Sequence, residues 1–208
     1  MSDYTDTLNA LATSTETAVV ALYERFLAGD ITEAEFVELG TVALEVANAR
    51  GAALADLALA TQLSVQRKEP VPTVGLSSTR TKTVARQAIL DALTEDGDAT
   101  EAVRVAVRAE TLAGAQDAYH EGMQEQGVKA WTRVLNSGAC KLCQDLAGDV
   151  LPGHAEMYHH KGCGCSQKPV GEEPNGNSTR SGRSRNNRGR NTRGRDAAGP
   201  RNVVTVAI

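Results

Sequence analysis

Cys140-Lys141-Leu142-Cys143 is followed, after sixteen intervening residues, by His160-Lys161-Gly162-Cys163-Gly164-Cys165. All four cysteines of the chain fall within these 26 positions. A divalent metal of intermediate softness takes four thiolate or imidazole ligands at the corners of a tetrahedron. Two cysteines across a tight turn supply two corners, and a second knuckle supplies the rest. The cluster therefore reads as a structural zinc site with Cys140, Cys143, His160, Cys163 and Cys165 as candidate ligands. Five candidates for four positions leave one of His160, Cys163 and Cys165 spare, and the spacing does not say which. Two disulfides are the competing reading. They are disfavoured because Met1-Ser2-Asp3-Tyr4-Thr5-Asp6 has neither the basic nor the apolar region of a secretory signal.

Outward from the cluster, the pattern alternates between strand and turn. Lys129 to Leu135 fits a short strand, Asn136-Ser137-Gly138 is turn chemistry, and Asp145 to Val150 fits a returning strand. A metal-tied β-hairpin of this kind needs little core of its own, because metal binding supplies folding free energy. Trp131, the only Trp, is expected to pack this module against the rest of the chain.

Everything before it reads as helix. Aromatic residues make up 3% of the 208 residues, so a core must be built from Ala, Leu and Val, which suits close-packed helices. Leu8, Leu11, Thr15, Ala18, Val19, Leu22 and Phe26 recur at helical spacing, and Gly29-Asp30 ends that run. Thr32-Glu33-Ala34-Glu35 fits a capping box opening a helix to about Gln66, with Phe36, Leu39, Ala43, Val46, Leu54 and Leu57 as its stripe. Gly40 and Gly51 cost that helix roughly 1 kcal/mol each against Ala. They mark either the close approach of a neighbour or a break. The two helices are expected to form an antiparallel hairpin.

Pro70 and Pro72 open a connector. Ser78 or Thr79 is then placed to cap a third helix through Leu93, with Ala85, Ala88, Ile89 and Ala92 inward. Asp98-Ala99-Thr100-Glu101 fits a second capping box. It opens a long helix to about Gln124 with Val103, Ala106, Val107, Leu112, Ala113 and Ala118 inward, stopped by Gly127. The expected organisation is a helical hairpin at 1–69, a linker at 70–78, a helical and zinc-knuckle domain at 79–170, and a basic tail at 171–208. The fold class is mainly α, with a small zinc-stabilised β-hairpin.

The net charge of −4 hides a division. Residues 1–170 hold 14 Lys and Arg against 23 Asp and Glu, a balance of −9, whereas residues 171–208 hold 8 Arg against 3 acids, a balance of +5. Arg180, Arg183, Arg185, Arg188, Arg190, Arg193 and Arg195 share a 16-residue window without apolar periodicity. Such a segment is expected to be disordered alone and to bind nucleic acid through phosphates, with little sequence preference. The terminal Val203 to Ile208 is too short for a membrane span and suits addition to a sheet edge. No apolar run reaches the length of a membrane span.

From about Arg104 to Val170 the chain resembles the Mu F-like minor head protein family of tailed bacteriophages. Arg108-Ala109-Glu110-Thr111 is similar to the family's Arg-Thr-Glu-Thr. Trp131 follows a Gly-containing turn. Cys140-Lys141-Leu142-Cys143-Gln144-Asp145-Leu146-Ala147-Gly148 is similar to Cys-x-x-Cys-x-x-Leu-x-Gly, and His160 to Cys165 to His-Pro-x-Cys-Arg-Cys. Ala109, Lys161 and Gly164 depart from the pattern, and none of these departures removes a candidate ligand. The resemblance implies a minor structural protein of the phage head. It would be associated with the portal protein at the portal vertex and act in head morphogenesis or in DNA packaging or ejection. On this reading the helices contact portal subunits or one another, the Arg segment faces packaged DNA, and the protein passes through the host cytoplasm before entering the virion.

Two other functional classes fit parts of the sequence. His154-Ala155-Glu156 matches half of a zinc deaminase signature, but Cys140 and Cys143 precede it instead of following, and further cysteines can close the open position that chemistry needs. A zinc-containing nucleic-acid-binding regulator would use the same cluster and tail, yet the helices carry no basic stripe. The expectation is therefore no enzyme. Arg108 and Glu110 lie two apart, off a shared helix face, and are expected to make separate structural contacts; His120 reads as a polar residue on a helix surface, and His159 as a neighbour of the metal site.

Overall fold

Gly29, at φ 80°, ends the first helix, α1 (Tyr4–Leu27). Its N–H reaches the Phe26 carbonyl at 3.0 Å and the Asp30 N–H reaches that of Arg25 at 2.9 Å, a left-handed stop that only Gly takes without strain. The structure, a computed structural model, describes residues 4–158 and 160–171. The eight arginines of the expected tail, His159 and the terminal apolar run lie outside the described residues.

Thr32 opens α2 (Glu33–Arg67) through the expected capping box. The Glu35 N–H donates to Thr32 Oγ1 at 3.2 Å, and the Thr32 N–H to Glu35 Oε2 at 2.7 Å. Phe36 is buried as expected, but the rest of the stripe expected for this helix is rotated from the buried face. Leu39, Val46 and Leu57 are exposed, while Gly40, Leu44, Ala47, Asn48, Gly51, Ala52, Ala55, Leu59 and Leu63 are buried. The helix is apolar on both sides, and both of its glycines face inward. A Cβ on Gly51 would lie 2.9 Å from that of Ala115, and one on Gly40 3.3 Å from Ile89 Cδ1. Both glycines thus mark close approach within an unbroken helix. In α1 the buried face likewise includes Ala12 and Tyr23, and Ala18 is exposed.

The connector is pinned to α2. The Asp56 carboxylate accepts the N–H groups of Val74, Gly75 and Leu76 at 2.9, 2.7 and 3.1 Å. Ser78 accepts the Arg80 N–H, so neither Ser78 nor Thr79 caps a helix. That role falls to Thr81, which opens α3 (Lys82–Thr94). Asp98 caps α4 (Ala99–Glu125) through the N–H groups of Thr100 and Glu101, while the Glu101 side chain pairs with Arg104 at 3.2 Å, so only the forward half of the expected capping box forms. Gly127, at φ 69°, follows its end.

α4 is the axis. Clusters built on Val19, Phe36, Leu44, Ile89 and Val107, and on Ala52, Leu59, Tyr119, Met123 and Trp131, join it to α1, α2 and α3. The stretches 1–69 and 79–170 therefore share hydrophobic clusters. Beyond α4 come β1 (Ala130–Val134), a helical turn α5 (Lys141–Asp145), β2 (Val150–Pro152) and β3 (Ser166–Pro169). The sheet is antiparallel in the order β2-β1-β3, with Trp131 opposite Leu151 and Pro169. The expected hairpin thus gains a third strand. Its second strand starts only at Val150, because Lys141–Asp145 coils as a helical turn. Among the described residues no helix is long and apolar enough to cross a membrane.

Candidate metal centre

Alternation along β1 turns Trp131 and Arg133 inward. Trp131 is fully buried among α2 and α4 residues and donates from Nε1 to the Ala155 carbonyl at 2.9 Å. Arg133 reaches the cysteine cluster, with Nη1 3.7 Å from Cys143 Sγ and Nη2 on the Tyr158 carbonyl.

The five sequence-derived donors converge. Cys140, Cys143 and His160 form one group whose ligand atoms lie within 4.8 Å of one another, and Cys143, Cys163 and Cys165 form a second. Cys143 belongs to both. Cys140 Sγ is 3.2 Å from His160 Nε2, and Cys143 Sγ is 3.5 Å from Cys163 Sγ. All four thiols are free, and 3.5 Å is far beyond the roughly 2.05 Å of a disulfide. A set of thiols and one imidazole, with no carboxylate, fits a tetrahedral metal of borderline softness. His154 is exposed and belongs to neither group.

The electrostatics follow from place. Cys140 sits at the start of α5, where the Cys143 N–H and its neighbours hold its thiol below the usual range. Burial pushes the Cys143 and Cys163 thiols up. Burial opposes the ionisation of these two thiols, and a bound metal would offset it. The Arg133 guanidinium is buried beside them and would offset the net negative charge that three or four thiolates leave around a divalent ion.

Side chains from the helices hold the second knuckle. Gln116 on α4 donates from Nε2 to the carbonyls of both Cys163 and Cys165, at 2.8 and 2.7 Å. Asn9 on α1 donates to the Gly164 carbonyl at 3.1 Å, and its Oδ1 accepts from Arg108 Nη2 at 2.6 Å. A Cβ on Gly164 would lie 2.4 Å from Asn9 Oδ1 and 2.7 Å from Asn136 Nδ2. Only Gly fits this approach unless both amides move. Thr5 and Ser166 hydroxyls meet at 2.7 Å, and Lys161 pairs with Glu95 at 3.1 Å. A cleft of about 290 Å³ beside His160, between α3 and α4, leaves one side of the loop open.

Arg108 and Glu110 make the separate contacts expected of them. Arg108 turns to Asn9 and Thr13 on α1, and Glu110 to Arg80 at 3.4 Å. His120 is half-buried, its Nδ1 3.3 Å from Gln167 Nε2. No protein-family model, curated protein or solved structure matches this chain. Sequence reasoning missed Asn9, Gln116 and Arg133. The alternation that turned Trp131 inward was a signal for Arg133; an amide on a mixed helix face gave none.

Proposed function

We propose that the chain is a minor structural protein of a tailed-phage head, attached at the portal vertex through its helical body. The observation that carries this is the order and spacing of Arg108 to Thr111, Trp131, Cys140 to Gly148 and His160 to Cys165. Their convergence supports it. Arg108 reaches the second knuckle through Asn9, Gln116 holds the same knuckle, and Trp131 anchors the sheet. Residues that resemble one family in sequence thus belong to one connected assembly.

In this reading the metal is zinc, bound by four of Cys140, Cys143, His160, Cys163 and Cys165 as a closed structural site. The module is a stiff joint on the helices. The balance of −9 over residues 1–170 repels packed DNA, so a protein surface must hold the body in place, while the arginines of residues 180–195 meet DNA phosphates. The role lies in head completion or DNA delivery and involves no catalysis.

Mass spectrometry of purified virions, paired with pull-down on the portal protein, tests this. A low-copy virion component that binds the portal protein is the expected result. Absence from particles, together with no portal binding at any assembly stage, overturns it.

A further inference from the structure

The solvent face of α2 carries an apolar seam with no partner among the described residues. Leu39, Val42, Val46, Ala49, Ala53 and Leu57 are all exposed, and they follow one another at steps of 3, 4, 3, 4 and 4 residues. That is the spacing of a heptad seam, with the drift to Leu57 that an uncoiled helix shows. The larger side chains are well out in solvent: Leu39 43%, Val42 45%, Val46 45% and Leu57 59% exposed. Nothing in the inward packing of α2 requires them, since its opposite face already forms the core.

We propose that this seam is a self-association surface, and that its occupant is the same seam of a second copy, running parallel and in register. Charge and area argue for the second copy. With Leu39, Val46 and Ala53 at the first core position of each heptad, Glu45 and Arg50 fall on the two flanks. They stand five residues apart, the offset at which flanking charges of parallel helices meet across a seam. Arg50 is exposed and has no ion pair among the described residues; in the dimer it meets Glu45 of the other copy, twice by symmetry. From Leu39 to Leu57, eighteen rises of about 1.5 Å make a seam about 27 Å long. Beside it lies α1, whose Leu11 and Ala18 border the same groove. Two helices side by side, each about 10 Å across, offer about 500 Å² per copy and about 1,000 Å² in all, at the lower limit for a specific interface. An interface of this size lies at the small, transient end of the range. This inference does not depend on a phage role.

The experiment is sedimentation equilibrium of the full chain, purified without chelator, from about 1 to 100 μM, which spans the affinities of weak dimers. The parent is expected to pass from monomer to dimer in that range. Val46→Glu should remain monomeric at 100-fold higher concentration than the parent midpoint, with unchanged helical circular dichroism and metal content, because position 46 is exposed in the monomer. Glu45→Arg or Arg50→Glu alone should weaken the dimer about tenfold, and the two together should restore it. A parent that stays monomeric throughout overturns the proposal. So does a dimer indifferent to Val46→Glu, or a charge-swapped pair that fails to recover.

Discussion

Cys143 sits in both groups of donors, so its substitution should be the most damaging of the five. Cys143→Ser is expected to abolish metal binding, whereas exactly one of His160→Ala, Cys163→Ser and Cys165→Ser should keep one metal per chain. Metal analysis of the variants checks this; loss on all three would mean that every donor is required. Glu110 gives a pH-dependent counterpart away from the metal. Burial raises its carboxyl pKa above the ordinary value, against the pull of Arg80. The folded state therefore holds this proton more tightly than the unfolded chain. Stability is lost as pH rises from the ordinary carboxylate range, about 4.3, through the raised value, and the loss is complete above it. Glu110→Gln should thus be more stable than the parent at pH 7, with the difference vanishing toward pH 4, while Arg80 keeps Asp117 at 2.8 Å. Urea denaturation across that range measures it, and a less stable variant at pH 7 contradicts the sign.

At the scale of elements, the tightest crossing is that of α2 on α4, where Gly51 meets Ala115. Gly51→Ala improves helix propensity by about 1 kcal/mol but forces two backbones apart. Overpacking of this kind costs typically 1–3 kcal/mol, so a net loss of about 1 kcal/mol is expected by urea denaturation. A more stable variant would show that the crossing relaxes freely. This crossing is also where the sequence was hardest to read. Helix ends were legible, because Thr32, Asp98, Gly29 and Gly127 announce caps and stops through local chemistry. The inward face of α2 was not, since Leu39, Val46 and Leu57 outweigh Gly40, Ala47 and Gly51 in any hydrophobic count, yet only the small residues permit close approach. Thr81 displaced Ser78 and Thr79 as a cap through Asp56, eighteen to twenty residues from the N–H groups that it takes. Strand β3 has the sequence Ser-Gln-Lys-Pro, too polar to announce itself, and is fixed by pairing with β1. The five donors were legible because thiols and imidazole at short spacing have few other uses.

For the whole molecule, the charge division predicts that DNA affinity resides in residues 171–208. Deleting residues 171–208 is expected to leave helical circular dichroism unchanged and to remove most DNA affinity. If seven arginines each meet one duplex phosphate, the parent's log affinity should fall with log salt at a slope of about −6. Equal affinity with and without the segment would refute its role. The body's integrity is expected to rest instead on a bound metal joining α5 to the second knuckle, which Asn9 on α1 and Gln116 on α4 hold, while Arg133 on β1 reaches Cys143. Elemental analysis of full-length protein purified without chelator tests that most directly. One zinc per chain, absent from Cys143→Ser, is predicted. Metal-free protein with four free, reduced thiols and an intact, Trp131-burying sheet would contradict it.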